Sequence, residues 1–321
     1  MTKILFITAT RIGDAVLYSG VLDHLIATYE DAEITVACGP LAAPLFRATP
    51  KVRRLVVMTK QKRAGHWFNL WNQTRGTHWD MVIDLRSSLT SWFLRTRSRF
   101  INRRTPGVAH RHRVVEAAGV LGLDHVPAPR LWLDDAAKQL VRDALPADKP
   151  VLALSPSAAA PFKQWPAEQF AALTNQLTGP SGALAGARVA LFGGPGDEAR
   201  SEAVAHDIHE TDVIDLTGRL GILESGAALA RARLFIGNDS GLMHMAAAAG
   251  VPTLGLFGPT DENVYGPWGA MARSVRVGDA ADENERGKLR FSETSLMQGL
   301  TIDAVLEAAQ SLISETKDHS I

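Results

Sequence analysis

Five groups of residues in this chain have the types and spacing to act on an anionic, hydroxyl-bearing substrate. Gly237-Asn238-Asp239-Ser240-Gly241 is the first. Asp239 and Ser240 are turn and N-cap residues, and the backbone N–H groups behind them lack helical partners, so they can point at an anion. Gly241 lets a phosphate come close to the backbone. The plainer alternative is an ordinary capped turn. Lys163, just ahead of Trp165-Pro166, is either a solvated surface lysine or a cation for a phosphate. Asp14, in Arg11-Ile12-Gly13-Asp14, either meets a helix dipole or stands ready to accept a proton. Arg95, Arg97, Arg99, Arg103, Arg104, Arg111 and Arg113 form a run with no acid among them, either a solvated face or an anion site. Gly194, Gly196 and Ala199 match G-x-G-x-x-A, with Asp215 further on, as in a dinucleotide loop. There Asp197 or Glu198 would meet a ribose hydroxyl.

Positioning these groups calls for an alternation of strand and helix. Lys3 to Thr8, Glu33 to Cys38, Val52 to Met58 and Met81 to Leu85 read as strands, the last followed by Arg86-Ser87-Ser88. Ala15 to Tyr29 has helical apolar spacing. After Leu145-Pro-Ala-Asp-Lys-Pro150, read as a linker, the rhythm repeats. Its strands are Val151 to Ser155, Arg188 to Phe192, Val213 to Leu216, Leu234 to Ile236 and Thr253 to Phe257. Such alternation predicts two parallel-sheet α/β domains, residues 1–148 and 149–321, with the Asp239 turn at a carboxyl strand edge, where open α/β sheets bind ligands. Residues 280–295 read as a surface loop and Ile302 to Ile313 as a final helix.

Composition narrows the class. With 46% hydrophobic and 21% charged residues, the 321-residue chain can bury two cores, so disorder is not expected. A single cysteine, Cys38, excludes an internal disulfide or a cysteine-built metal cluster. No secretion signal or membrane span is read, and the cytoplasm is the expected location. The net charge of zero hides a split. Residues 1–150 hold 22 Lys+Arg against 13 Asp+Glu, a balance of +9, and the remainder carries −9. The first half therefore suits an anionic partner. Nucleic acid is not expected, because no recognition motif accompanies the arginines.

Four motifs, in this order and spacing, resemble glycosyltransferase family 9, the heptosyltransferases of the lipopolysaccharide inner core. They are Arg11-Ile12-Gly13-Asp14; Ser155-Pro156-Ser157 with Lys163-Gln164-Trp165-Pro166; Phe192-Gly193-Gly194-Pro195; and Asn238-Asp239-Ser240-Gly241-Leu242-Met243-His244 followed by Phe257-Gly258-Pro259-Thr260. The similarity covers nearly the whole chain. It implies a GT-B architecture, two Rossmann-like domains facing across a cleft, and an inverting, metal-independent sugar transfer with no cofactor. The implied donor is a nucleotide diphosphate sugar, typically ADP-heptose, held by the C-terminal domain. The implied acceptor is an anionic lipid-linked saccharide held by the N-terminal domain, with peripheral attachment to the inner leaflet of the cytoplasmic membrane. By resemblance Asp14 is the general base, Lys163 meets the diphosphate, Asp197 binds the ribose and a backbone group at Leu220 reads the adenine. Asp239, Ser240 and Gly241 contact phosphates and sugar, with His244 one turn later. Thr10, Gly13 and Ser157 complete the donor set, and Arg11, Arg86, Arg103 and Arg104 the acceptor set. Ala158 and Ala159 stand where close heptosyltransferases carry hydroxyl residues. Ser292, Ser295 and Leu296 stand where many relatives have cysteines. The residues by themselves also leave open an NAD-dependent oxidoreductase built on Gly194 to Ala199, or a non-enzymatic nucleotide-sugar-binding module.

Overall fold

The computed structural model describes residues 1–103, 111–209, 211–279, 281, 288–289 and 292–316. The chain forms two compact units, Met1–Trp132 and Leu133–Ile321.

In the first unit, five parallel strands, β1 (Thr2–Ile7), β2 (Ala32–Cys38), β3 (Val52–Val57), β4 (Trp79–Asp84) and β5 (Thr96–Ile101), lie in the order β3-β2-β1-β4-β5. Ile4, Leu5, Phe6 and Ile7 of the central strand are wholly buried, as a parallel strand covered on both faces requires. Ile7 stands opposite Ala37 of β2 and Asp84 of β4. The chain order reverses between β1 and β4, so a crevice opens at their carboxyl ends. Gly39, just past β2, packs against the turn after β1; a Cβ there would meet Thr10 Cα at 2.6 Å.

The second unit repeats the plan with six strands: β6 (Val151–Ser155), β7 (Arg188–Leu191), β8 (Val213–Asp215), β9 (Leu234–Asn238), β10 (Thr253–Phe257) and β11 (Ala272–Arg276), ordered β11-β10-β9-β6-β7-β8. Its reversal lies between β6 and β9, where Ser155 stands opposite Gly237. A Cβ on Gly237 would meet the Phe235 ring at 2.7 Å and Ser155 Cβ at 3.0 Å, so only glycine allows that register. Trp165 anchors the core: it is fully buried, edge-on to Phe170 at 5.0 Å, and its Nε1–H donates to the Leu300 carbonyl at 2.8 Å.

The units divide ahead of the 145–150 linker read from the sequence. The Asp135–Ala144 helix packs on the Ile222–Leu229 helix of the second unit. Arg188 of β7 ties the linker down through the Pro146 carbonyl at 3.0 Å and Asp148 at 2.8 Å. Proline and charge made this segment look like a spacer, but its partners are long-range. Pro166 is the N-cap of the Ala167–Thr178 helix. Strands β5 and β11, both sheet edges, were not read from the sequence.

Candidate functional site

In the first unit, the chain leaves β1 through Thr8, Ala9 and Thr10 and enters the short Ile12–Leu17 helix, whose first turn carries Asp14. The neighbouring strand β4 ends at Asp84, which is completely buried. Asp84 Oδ1 accepts the Arg86 N–H at 2.9 Å, and its Oδ2 accepts the Ser88 N–H at 2.8 Å and hydroxyl at 2.5 Å. That turn forces Ser87 to a left-handed φ of 57°, the kind of strain that collects at functional sites. The Ser87 hydroxyl donates to the Asn102 carbonyl. Asn102 Nδ2 in turn donates to Glu116 at 2.8 Å.

These turns enclose a cavity of about 700 Å³ at the β1/β4 reversal, lined among others by Thr10, Arg11, Asp14, Arg86, Trp92 and Arg103. Gly13 lies in the same helical turn as Asp14. Arg86 stacks over Trp67 at 4.9 Å, while its buried Nη1 has no hydrogen-bond partner. Burial lowers the Arg86 pKa from its ordinary value, and the charges of Asp84 and Asp14 oppose that shift. A cationic donor left unsatisfied in a polar cavity suits an anionic substrate group.

The arginine run divides by role. Arg97 pairs with Asp80 at 3.3 Å, and Arg113 pairs with Glu116 at 2.5 Å. Arg99 braces the Ser91 and Leu94 carbonyls, each at 2.9 Å. The acids absent from the run are supplied by strand β4 for Arg97 and by the next turn of its own helix for Arg113. Arg103 leans over the Trp92 ring at 5.4 Å on the cavity wall. Arg104 lies outside the described residues.

In the second unit, Lys163 Nζ meets Asp239 Oδ2 at 2.6 Å at the β6/β9 reversal. Both are held by the loops that carry them. Asn238, completely buried at the end of β9, accepts the Trp165 N–H through Oδ1 at 3.0 Å. Its Nδ2 donates to the Pro156 carbonyl at 2.7 Å. Arg200 Nε donates to that same carbonyl at 2.7 Å, and its Nη2 donates to the Trp165 carbonyl. Ser295 Oγ donates to the Gln164 carbonyl at 2.6 Å and so holds the lysine loop.

Four buried hydroxyls at this strand edge, Ser155, Ser157, Ser240 and Thr260 Oγ, have no hydrogen-bond partner. Ser240 is the N-cap of the Gly241–Ala248 helix but makes no side-chain cap, so the first-turn amides are not claimed by it. His244 is buried on that helix. An ammonium, a helix N-terminus and unsatisfied hydroxyls make a receptor for a diphosphate.

Asp197 and Leu220 lie on the loops after β7 and β8, at the same edge of the sheet. The Gly194 to Ala199 loop does not fit the dinucleotide reading. Asp197 Oδ2 accepts the Gly194 N–H and Glu198 Oε2 accepts the Gly196 N–H, both at 2.8 Å. The amides needed for a pyrophosphate are therefore held by the loop's own acids. Asp215 is likewise engaged, accepting the Thr217 N–H at 2.9 Å. Sequence reasoning missed Arg200 and Asp84, whose partners are largely backbone atoms that leave no residue pattern, and Thr260, whose signal was the Phe257–Thr260 motif. Among the described residues, no group of three or more His, Cys, Asp or Glu is placed to hold a metal ion, and no helix is long and apolar enough to cross a membrane.

Two Rossmann-ordered parallel sheets, each with a polar site at its reversal point, define a GT-B glycosyltransferase fold. The chain belongs to glycosyltransferase family 9 (heptosyltransferase), whose profile matches residues 84–294. It is an enzyme of the sugar-transferring class, which removes the oxidoreductase and binding-module alternatives. The lipopolysaccharide heptosyltransferase 2 of Salmonella typhimurium is 26% identical, over 98% of this chain and 99% of the relative. A family 9 glycosyltransferase from Veillonella parvula superposes with a TM-score of 0.81 at 22% identity, covering 98% of each chain. The E. coli ADP-heptose lipopolysaccharide heptosyltransferase II superposes with a TM-score of 0.77 at 22% identity, covering 99% of this chain and 100% of that one.

Proposed function

We propose that the protein transfers heptose from ADP-heptose to an anionic, lipid-linked saccharide of the lipopolysaccharide inner core, with inversion and without a metal ion. The observation that carries this reading is the Lys163–Asp239 pair among unsatisfied hydroxyls beside a helix N-terminus. The names of the similar heptosyltransferases support the sugar, the nucleotide and the acceptor class.

In this reading the second unit holds the donor. Asp197 takes the ribose and Leu220 the adenine, while Ser157, Ser240, Gly241 and Lys163 take the diphosphate, with Asp239 and His244 toward the sugar. The first unit holds the acceptor through Arg11, Arg86, Arg103 and Arg104, and Thr10 and Gly13 border the transferred sugar. Asp14 removes the proton from the acceptor hydroxyl. The oxygen then forms its bond to the anomeric carbon on the face opposite the diphosphate, and the bond from that carbon to the phosphate oxygen breaks. Proton abstraction of this kind contributes on the order of 10²–10⁴-fold. Lys163 and the helix amides receive the charge that grows on the departing diphosphate, so they act more strongly in the transition state than in the ground state.

Calorimetric titration with ADP-, GDP- and UDP-sugars tests the assignment. ADP-heptose and free ADP should bind the wild-type protein, and Lys163→Ala should weaken both. Preference for a uridine or guanosine donor would overturn the nucleotide assignment. Unchanged ADP affinity in Lys163→Ala would leave that lysine as the structural partner of Asp239 alone.

A further inference from the structure

The first unit also presents an apolar ledge that neither site uses. The Gly65–Thr74 helix and the Leu89–Phe93 turn pack on each other. Trp71 Nε1–H donates to the Phe93 carbonyl, and the Thr90 hydroxyl to the Trp67 carbonyl, both at 3.4 Å. Leu70 on the inner side is fully buried, but Phe68, Leu89 and Phe93 on the outer side are 64%, 78% and 73% exposed. Scattered exposed apolar residues need no explanation, whereas three large ones on two touching elements mark an interaction surface.

The two stretches of chain that carry this ledge are basic, with Asp80 and Asp84 between them. Residues 34–79 contain eight Lys+Arg and no acid, and residues 85–115 contain eight Arg and no acid. Lys60, Lys62 and Arg63 lead into the helix and Arg75 follows it, all four exposed. A second copy of the chain would fit badly here. A two-fold interface on this patch would bring the basic cluster toward its own image with little acid to answer it. An anionic lipid surface answers both features, because it takes apolar side chains at the headgroup level and attracts the cations around them. The ledge is also continuous with the first cavity. Trp92, 48% exposed, belongs to the Leu89–Phe93 turn and lines that cavity.

We propose that this ledge seats the protein on an anionic phospholipid bilayer. Phe68, Leu89 and Phe93 enter the interface, and Lys60, Lys62 and Arg63 meet the lipid phosphates. This deepens the proposed function and rests on it for the acceptor: a lipid-linked saccharide would reach the cavity along Trp92 without leaving the membrane.

The test is co-sedimentation of the full chain with phosphatidylcholine vesicles, with and without phosphatidylglycerol. Binding should require phosphatidylglycerol and weaken with added salt. Each basic side chain at such a surface contributes about fivefold, so the Lys60→Gln/Lys62→Gln/Arg63→Gln variant should lose on the order of 10²-fold in partitioning. The Phe68→Ser/Leu89→Ser/Phe93→Ser variant should also detach. Both should unfold at the wild-type temperature and turn over a delipidated acceptor at the wild-type rate. Absence of wild-type binding to anionic vesicles, or unchanged binding by either variant, overturns the proposal. A concentration-dependent dimer abolished by the serine variant also overturns it and gives the ledge to a second copy. Vesicle binding by a protein that transfers no sugar supports the ledge and rejects the proposed function.

Discussion

Replacing Asn238 with alanine removes two hydrogen bonds with unequal consequences. The Trp165 N–H, donated to Asn238 Oδ1 at 3.0 Å, is left in the interior without its acceptor. The Pro156 carbonyl loses the Asn238 amide at 2.7 Å but keeps Arg200 Nε at 2.7 Å. An orphaned buried donor costs about 1–3 kcal/mol, and a lost bond whose acceptor stays satisfied about 1 kcal/mol. Asn238→Ala should therefore destabilise the second unit by about 2–4 kcal/mol, on the order of 10 °C in its unfolding temperature. Asn238→Ala/Arg200→Ala should cost more than the sum of the single variants by about 1 kcal/mol, because the Pro156 carbonyl then loses both donors. Thermal unfolding of the four proteins, with ADP titrations below the transition, measures both quantities. ADP affinity should fall along with stability, since Pro156 precedes Ser157 and Trp165 follows Lys163 closely. Additive costs, or a destabilised Asn238→Ala protein with wild-type ADP affinity, would refute the argument that this clamp positions the donor site.

Asp14→Asn should keep ADP affinity and lose on the order of 10²–10⁴-fold in turnover, as measured by ADP release; near-normal turnover in a folded variant removes Asp14 from the chemistry. Arg103→Ala/Arg104→Ala should raise the acceptor KM and leave donor affinity unchanged, with wild-type acceptor binding weakening as salt rises; a loss confined to donor affinity would reverse the assignment of the two units. Burial pushes the Cys38 thiol up to about 12, so at pH 8 it is protonated when folded and should react with a thiol reagent only as the first unit unfolds. Stoichiometric labelling of the native protein without loss of structure would contradict that burial.

The strand alternation was legible because the central strands are continuous apolar runs, Ile4 to Ile7 and Leu234 to Ile236 among them, ending in glycine and polar turns. Strands β5 and β11 were not, because charged residues interrupt them throughout, whereas the edge strand β3 keeps the apolar run Leu55-Val56-Val57. Thr96–Ile101 presents Arg97 and Arg99, and Ala272–Arg276 presents Arg273 and Arg276, so the apolar period disappears. Motifs near strand ends singled out Asp14, Lys163 and Asp239, and the structure sets Asp14 in the wall of the first cavity and pairs Lys163 with Asp239 at the β6/β9 reversal. What holds those groups was hidden. Asp84 and Arg200 act largely through backbone atoms, and Arg97 and Arg113 find carboxylates outside the arginine run. Local sequence shows which residues can do chemistry, but not which are already engaged by distant partners.

Product analysis decides whether heptose passes from ADP-heptose with inversion. The purified protein is incubated in a chelator with ADP-heptose and a heptose-deficient inner-core acceptor, while ADP release is followed and the new linkage is examined by NMR. One ADP should appear per heptose transferred, with an anomeric configuration opposite to that of the donor and a rate unaffected by chelation. A retained configuration, loss of activity in the chelator, or turnover only with another nucleotide sugar would contradict the proposed transfer.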